Sequence, residues 1–175
     1  MNPINRREFM RRSGLATAGT VALKSGNKVV WASDPGPASV APGDTLRVGV
    51  IGIGARAMGV AGSFAVVPGV QVVAAADVYK DRLIRAKELF GEQLETTGDY
   101  RRILERKDID AVLIGTCDHW HKRHIIDSMD AGKDVYCEKP MTYTIEEGFE
   151  IIAAEKRTGR ILQIGSQWVN SPLTD

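Results

Sequence analysis

A glycine loop between a buried strand and a helix, with an acid closing the next strand, constrains this chain more than any other feature. Residues 46–51 (LRVGVI) read as a buried parallel strand, and Gly52-Ile53-Gly54-Ala55-Arg56-Ala57 follows at once where a helical stretch begins. The next apolar run, residues 70–76, ends in Asp77. A glycine triplet alone marks many turns; the strand, the helix and the terminal acid together match a dinucleotide-binding βαβ unit in its G-x-G-x-x-A form. Gly52 permits the tight turn, Gly54 lets the backbone approach a pyrophosphate, and Ala57 is small enough for helix and strand to pack closely. The N–H groups and dipole of the helix N-terminus then face the phosphates. Asp77 is placed to accept hydrogen bonds from both hydroxyls of an adenosine ribose. A 2′-phosphate would meet a carboxylate there, so the expected cofactor is NAD, with NADP not excluded.

Beyond this unit, strands and helices alternate. Strands are expected over 46–51, 70–76, 110–115, 133–137 and 161–165, with a weak one near 94–96. Helices are expected near 55–66, 80–90, 99–106, 119–131 and 144–158. Thr144 stands three residues before Glu147, a capping-box spacing, and Ile145, Phe149 and Ile152 follow at helical spacing on one face. Near-continuous apolar strands between helices imply an α/β fold: a doubly wound, mostly parallel sheet covered on both faces, the Rossmann arrangement. Ligands of such sheets sit at the carboxyl ends of the strands.

Charge divides the chain. The formal net charge is +1, but residues 1–32 carry Arg6, Arg7, Arg11, Arg12, Lys24 and Lys28 against Glu8 alone, which leaves −4 for residues 33–175. The mildly acidic remainder offers no nucleic-acid surface, and no apolar run is long enough to span a membrane. Residues 5–10 (NRREFM) resemble a twin-arginine export signature; a short apolar core over 14–23 and Val30-Trp31-Ala32 as a cleavage site complete a signal over 1–32. This implies export by the twin-arginine machinery, already folded, to the periplasm or another extracytoplasmic space. Residues 33–45 (SDPGPASVAPGDT) read as a flexible linker, and 46–175 as the nucleotide-binding domain. Cys117 and Cys137 are too few for a disulfide scaffold, and folding before export favours two free thiols.

Three segments follow strand ends and should converge on the nicotinamide end of a bound dinucleotide: 115–121 (GTCDHWH), 137–140 (CEKP) and 165–168 (GSQW). With the glycine loop, "DIDAV" at 108–112, "AGKDVYCEKP" at 131–140, "TIEEG" at 144–148 and "QIGSQ" at 163–167, the chain resembles the glucose–fructose oxidoreductase and inositol dehydrogenase family, Gfo/Idh/MocA, over about residues 46–171. The resemblance implies carbohydrate chemistry: an NAD(P)-dependent oxidoreductase acting on a secondary alcohol of a sugar, glycoside or polyol. It also admits a glycosidase that keeps NAD bound and oxidises a sugar carbon transiently. A third reading is a cofactor-binding module without activity.

The resemblance assigns catalysis to Lys139, whose ammonium would hydrogen-bond the substrate hydroxyl and stabilise alkoxide character as hydride leaves. It implies that Glu138 contacts the nicotinamide ribose, Thr116 the cofactor through its backbone, and Trp120 the nicotinamide or substrate. His121 would support the cofactor-side loop, and Pro140 would fix the turn, often through a cis bond. Arg82 is placed to lie over the adenine and Gln167 to reach the nicotinamide region. Asp118 opens the helix beside them. His124 is expected on the helix surface. His119 and His121 share no helical face and no Cys or carboxylate set completes a zinc site, so no metal is expected. Cys117 stands where the family usually has Pro. Members of the family continue through a second, substrate-binding domain that often forms a homo-oligomer. That domain is absent from residues 1–175, so this chain alone is expected to bind NAD weakly and not to turn over.

Overall fold

The computed structural model describes residues 45–166. The signal reading of 1–32, residues 33–44 of the linker, and Gln167 and Trp168 lie outside them. Twelve elements follow in order: β1 (Leu46–Ile51), α1 (Ala55–Ala65), β2 (Val70–Ala76), α2 (Lys80–Phe90), β3 (Glu95–Thr97), α3 (Arg101–Glu105), β4 (Ala111–Ile114), a 3₁₀ turn (Asp118–Trp120), α4 (His121–Asp130), β5 (Asp134–Glu138), α5 (Ile145–Thr158) and β6 (Leu162–Gly165). All six strands pair in parallel in the order β3-β2-β1-β4-β5-β6. Chain direction across the sheet therefore reverses between β1 and β4, which is the switch point where ligands bind.

The central strands β1, β4 and β5 bury both faces, as a parallel sheet under helices on two sides requires, while the edge strands β3 and β6 are mostly half-buried. In β1, Leu46, Val48 and Val50 join Ala57, Val60, Ala61 and Phe64 of α1 and Ala86 of α2. Ile51 points the other way, into a cluster with Ile103 of α3, Ile125 and Met129 of α4, and Ile151 and Ala154 of α5. β4 divides likewise, with Leu113 in the first cluster and Val112 and Ile114 in the second. Tyr136 of β5 meets Phe64 edge to face at 5.3 Å, while Val135 and Cys137 face the second cluster. Burial pushes the Cys137 thiol pKa up; Cys117 is exposed, and both are free thiols.

Two helical faces differ from the pattern in the sequence. In α5, Ile145, Phe149 and Ile152 are 78%, 69% and 42% exposed, and Gly148, Ile151 and Ala154 face inward instead. Ile151 is the one large side chain of this inward face, with small Gly148 and Ala154 beside it. The capping box does form, with the Glu147 carboxylate accepting from the N–H groups of Tyr143 (2.8 Å) and Thr144 (3.4 Å). In α4, His121, His124, Ile125, Ser128 and Met129 are the buried residues, so His124 lies inside rather than on the surface. Among the described residues no helix is long and apolar enough to cross a membrane.

Candidate functional site

The loop after β1 turns on Gly52, at φ +78°, a value open to glycine and strained for other residues. A Cβ there would also come within 2.4 Å of the Thr116 methyl, because the loop after β4 crosses directly against it. Gly115 completes this crossing: its own Cβ would lie 2.6 Å from that of Ala57. Gly54 differs. It is the N-cap of α1, and a Cβ on it would meet nothing nearer than Arg82 Nη1 at 3.8 Å. The first intrahelical bond runs from Met58 N to Gly54 O at 2.9 Å, and no side chain caps the helix. The N–H groups of the first turn of α1 point out of the helix N-terminus at Gly54. These are the features a pyrophosphate requires, and the residues present fit a dinucleotide. Ile53 between the two glycines is fully buried and anchors the loop in the core.

Asp77 closes β2. Its carboxylate is nearly buried, with Oδ1 accepting from Tyr79 N at 2.9 Å and Oδ2 lying 3.4 Å from Arg82 Nη1. The Arg82 guanidinium lies 4.8 Å from the centre of the Tyr79 ring. Arg82 therefore stands between the glycine loop and Asp77, where an adenosine would sit, with its cation over an aromatic face.

On the other side of the switch point a cleft of about 390 Å³ is lined by Arg56, Gly115, Thr116, Glu138 and Lys139. Glu138 ends β5 with its side chain 7% exposed, and Arg56 Nε reaches its Oε1 at 3.0 Å. Lys139 is exposed, and the Lys139–Pro140 bond is cis. Gly165 leaves room for this arrangement, since a Cβ on it would lie 2.9 Å from Glu138 Oε1 and 2.7 Å from the Tyr136 hydroxyl. Burial pushes the Tyr136 hydroxyl pKa up to about 12.

His121, 1% exposed, joins the two loops of this wall. Its Nδ1 lies 2.6 Å from the Pro140 carbonyl and its Nε2 3.1 Å from the Thr116 carbonyl. A neutral ring donates to one of these and a doubly protonated ring to both. His124 Nδ1 lies 3.2 Å from the Thr116 hydroxyl, and the ring is held between Trp120 (stacked, 5.3 Å) and Tyr100 (edge-on, 4.3 Å). Tyr100 in turn donates to Asp127 at 2.7 Å. Burial pushes the His124 pKa down to about 4. Trp120 keeps 47% exposure at the rim of the wall.

The structure thus gathers Gly52, Gly54, Ala55, Arg56 and Ala57 at one wall and Thr116, His121, Glu138 and Lys139 at the other, with Asp77 and Arg82 at the far end. Asp118 and His119 lie on the exposed 3₁₀ segment at the margin. Sequence reasoning missed the inward place of His124 and the Arg56–Glu138 pair. The first was legible in the spacing of His121, His124, Ile125, Ser128 and Met129, an inward helical stripe. No group of three or more His, Cys, Asp or Glu among the described residues is placed to hold a metal ion.

Known proteins are similar to this chain in sequence and fold. Alpha-N-acetylgalactosaminidase of Shewanella oneidensis is 34% identical over 175 aligned residues, covering 90% of this chain and 38% of that protein. A glycosyl hydrolase family 109 protein of Shewanella baltica matches with the same identity and coverage. This chain therefore spans about 38% of the length of these curated relatives. Among solved structures, the 3-ketoreductase KijD10 of Actinomadura kijaniata, in complex with NADP and TDP-benzene, superposes with a TM-score of 0.63 at 32% identity. That match covers 69% of this chain and 37% of that one. A probable dehydrogenase of Thermotoga maritima gives 0.63 at 31%, covering 69% and 36%. The GFO_IDH_MocA family model, described as an oxidoreductase family with an NAD-binding Rossmann fold, matches residues 46–166, and this chain belongs to that family through its NAD(P)-binding Rossmann domain.

Proposed function

We propose that this domain serves an enzyme that oxidises a secondary alcohol of a sugar transiently on a resident NAD, and does so to break a glycosidic bond. The observation that carries the reading is Lys139. It stands at the end of β5, on the wall of the cleft opposite the glycine loop, with buried Glu138 before it and His121 tying its turn to the loop after β4. Bound there, NAD supplies the hydride acceptor. Lys139 holds the reacting hydroxyl and stabilises charge on its oxygen as the C–H bond breaks. Thr116, Glu138 and the Arg56 side chain position the nicotinamide half, the backbone of the first turn of α1 the pyrophosphate, and Asp77 and Arg82 the adenosine. Trp120 forms an apolar rim beside the reacting carbon. The similarity to proteins named as glycosidases over 90% of the chain favours hydrolysis.

A second reading is net oxidation or reduction of a sugar or polyol, favoured by the 32% identity to a 3-ketoreductase. In either case residues 33–45 link a twin-arginine signal over 1–32 to the nucleotide domain, and the protein works outside the cytoplasm. The Arg6-Arg7 pair and its flanking residues support that placement.

The test uses the protein as isolated from its source with an aryl α-N-acetylgalactosaminide. Hydrolysis predicts release of the phenol with no net change in NADH absorbance, and loss of that release in Lys139→Met. Stoichiometric NADH formation with free sugar would transfer the assignment to the second reading.

A further inference from the structure

The strands β1 and β5 are not neighbours: β4 lies between them. At about 4.8 Å per strand, the ends of β1 and β5 are roughly 10 Å apart. The Arg56–Glu138 ion pair spans this distance, from the first turn of α1 to the end of β5, above Gly115 and Thr116. A dinucleotide laid from the glycine loop toward Lys139 must cross the line joining these two side chains.

The two ends of the pair are unlike. Glu138 is fixed: it is 7% exposed, belongs to a strand paired on both sides, and has its Oε1 packed where only a glycine at position 165 leaves room. Arg56 is 48% exposed on a helical first turn. One jaw is rigid and the other can swing. With its guanidinium end half in water, the pair is screened on that side and Arg56 can leave it. With a nucleotide beneath it and water excluded, the same charges attract more strongly. Entry would then be easy and exit slow.

We propose that Arg56 and Glu138 form a clasp over the nicotinamide half of the cofactor, and that this clasp, rather than the glycine loop, sets how long the cofactor stays bound. Glu138 keeps its second carboxylate oxygen for the ribose while Oε1 holds the guanidinium. The inference rests on dinucleotide binding in this cleft and not on which sugar reaction follows, so its failure leaves the proposed function untouched.

The experiment measures release of NADH from the full 175-residue chain, by loss of energy transfer from tryptophan after mixing with excess NAD. ADP release, followed by competition, is the control, because ADP reaches the glycine loop but not the clasp. Arg56→Met and Glu138→Gln are each expected to speed NADH release about tenfold, the effect of a charge-pair coupling near 1.4 kcal/mol. The double variant should be no faster than either single one. ADP release should not change. Additive effects, equal acceleration of ADP release in Arg56→Met, or unchanged NADH release would each overturn the clasp. Arg56→Met keeps the stem of an exposed side chain and so tests the proposal even if Glu138→Gln does not fold.

Discussion

The two walls of the cleft are built on different principles. The wall after β1 is backbone: two glycines, an uncapped helix N-terminus and one small residue at Ala57. The wall after β4 and β5 is side chain: His121 tying two carbonyls, His124 between Trp120 and Tyr100, and Glu138 lodged against Gly165. A backbone wall is a local property of six consecutive residues. A side-chain wall exists only when residues from β4, α4, β5 and β6 have already assembled. The first should therefore fail by single glycine changes, and the second by changes of protonation and packing.

The sharpest break is within the backbone wall. Gly52→Ala adds a Cβ at a positive φ and 2.4 Å from Thr116, and should destabilise the fold by about 3 kcal/mol or more in urea unfolding. Gly54→Ala has open space and an extended backbone. It should cost within about 1 kcal/mol of stability, chiefly through the N-cap, yet weaken NAD binding at least about tenfold by calorimetry. Equal stability losses would show that both glycines serve the fold alone.

The side-chain wall should respond to acid. His124 has a folded pKa near 4, below its ordinary 6.5, so between these values the unfolded chain binds the extra proton. Stability is then full above pH 6.5 and is lost as pH falls toward about 4, by roughly 2 kcal/mol after allowing for partial access of water around the ring. Thermal melts of His124→Phe should lose most of this slope; an unchanged slope would assign it to other groups.

A smaller effect concerns cofactor choice. Asp77→Asn removes the charge that a 2′-phosphate would meet while Arg82 remains beside it. The ratio of NAD to NADP affinity should fall about tenfold, a change of about 1.4 kcal/mol. The least is outside both walls: Thr144→Ala removes one side of the α5 capping box and should cost about 1 kcal/mol with NAD binding unaltered.

The same contrast explains what was legible in the sequence. The strand and helix boundaries follow from the alternation of apolar runs and glycines, and most shift by only one or two residues; the short third helix begins at Arg101 rather than Asp99. The glycine loop and Asp77 were legible because their geometry is encoded over short spans. The pairing of Arg56 with Glu138 was not, since 82 residues separate them and no periodicity joins them. The outward face of α5 was hidden for a related reason. Ile145, Phe149 and Ile152 have the spacing of a core stripe, but the packing of α5, chiefly against α4, turns Gly148, Ile151 and Ala154 inward.

The most direct test of the central claim is a crystal structure of this chain with NAD. The pyrophosphate is expected on the N-terminal turn of α1 and the adenosine ribose hydroxyls hydrogen-bonded to Asp77. The nicotinamide ring is expected in the cleft beside Lys139, between Thr116 and Glu138. A nucleotide bound elsewhere, or with its nicotinamide half directed away from Lys139, would contradict it.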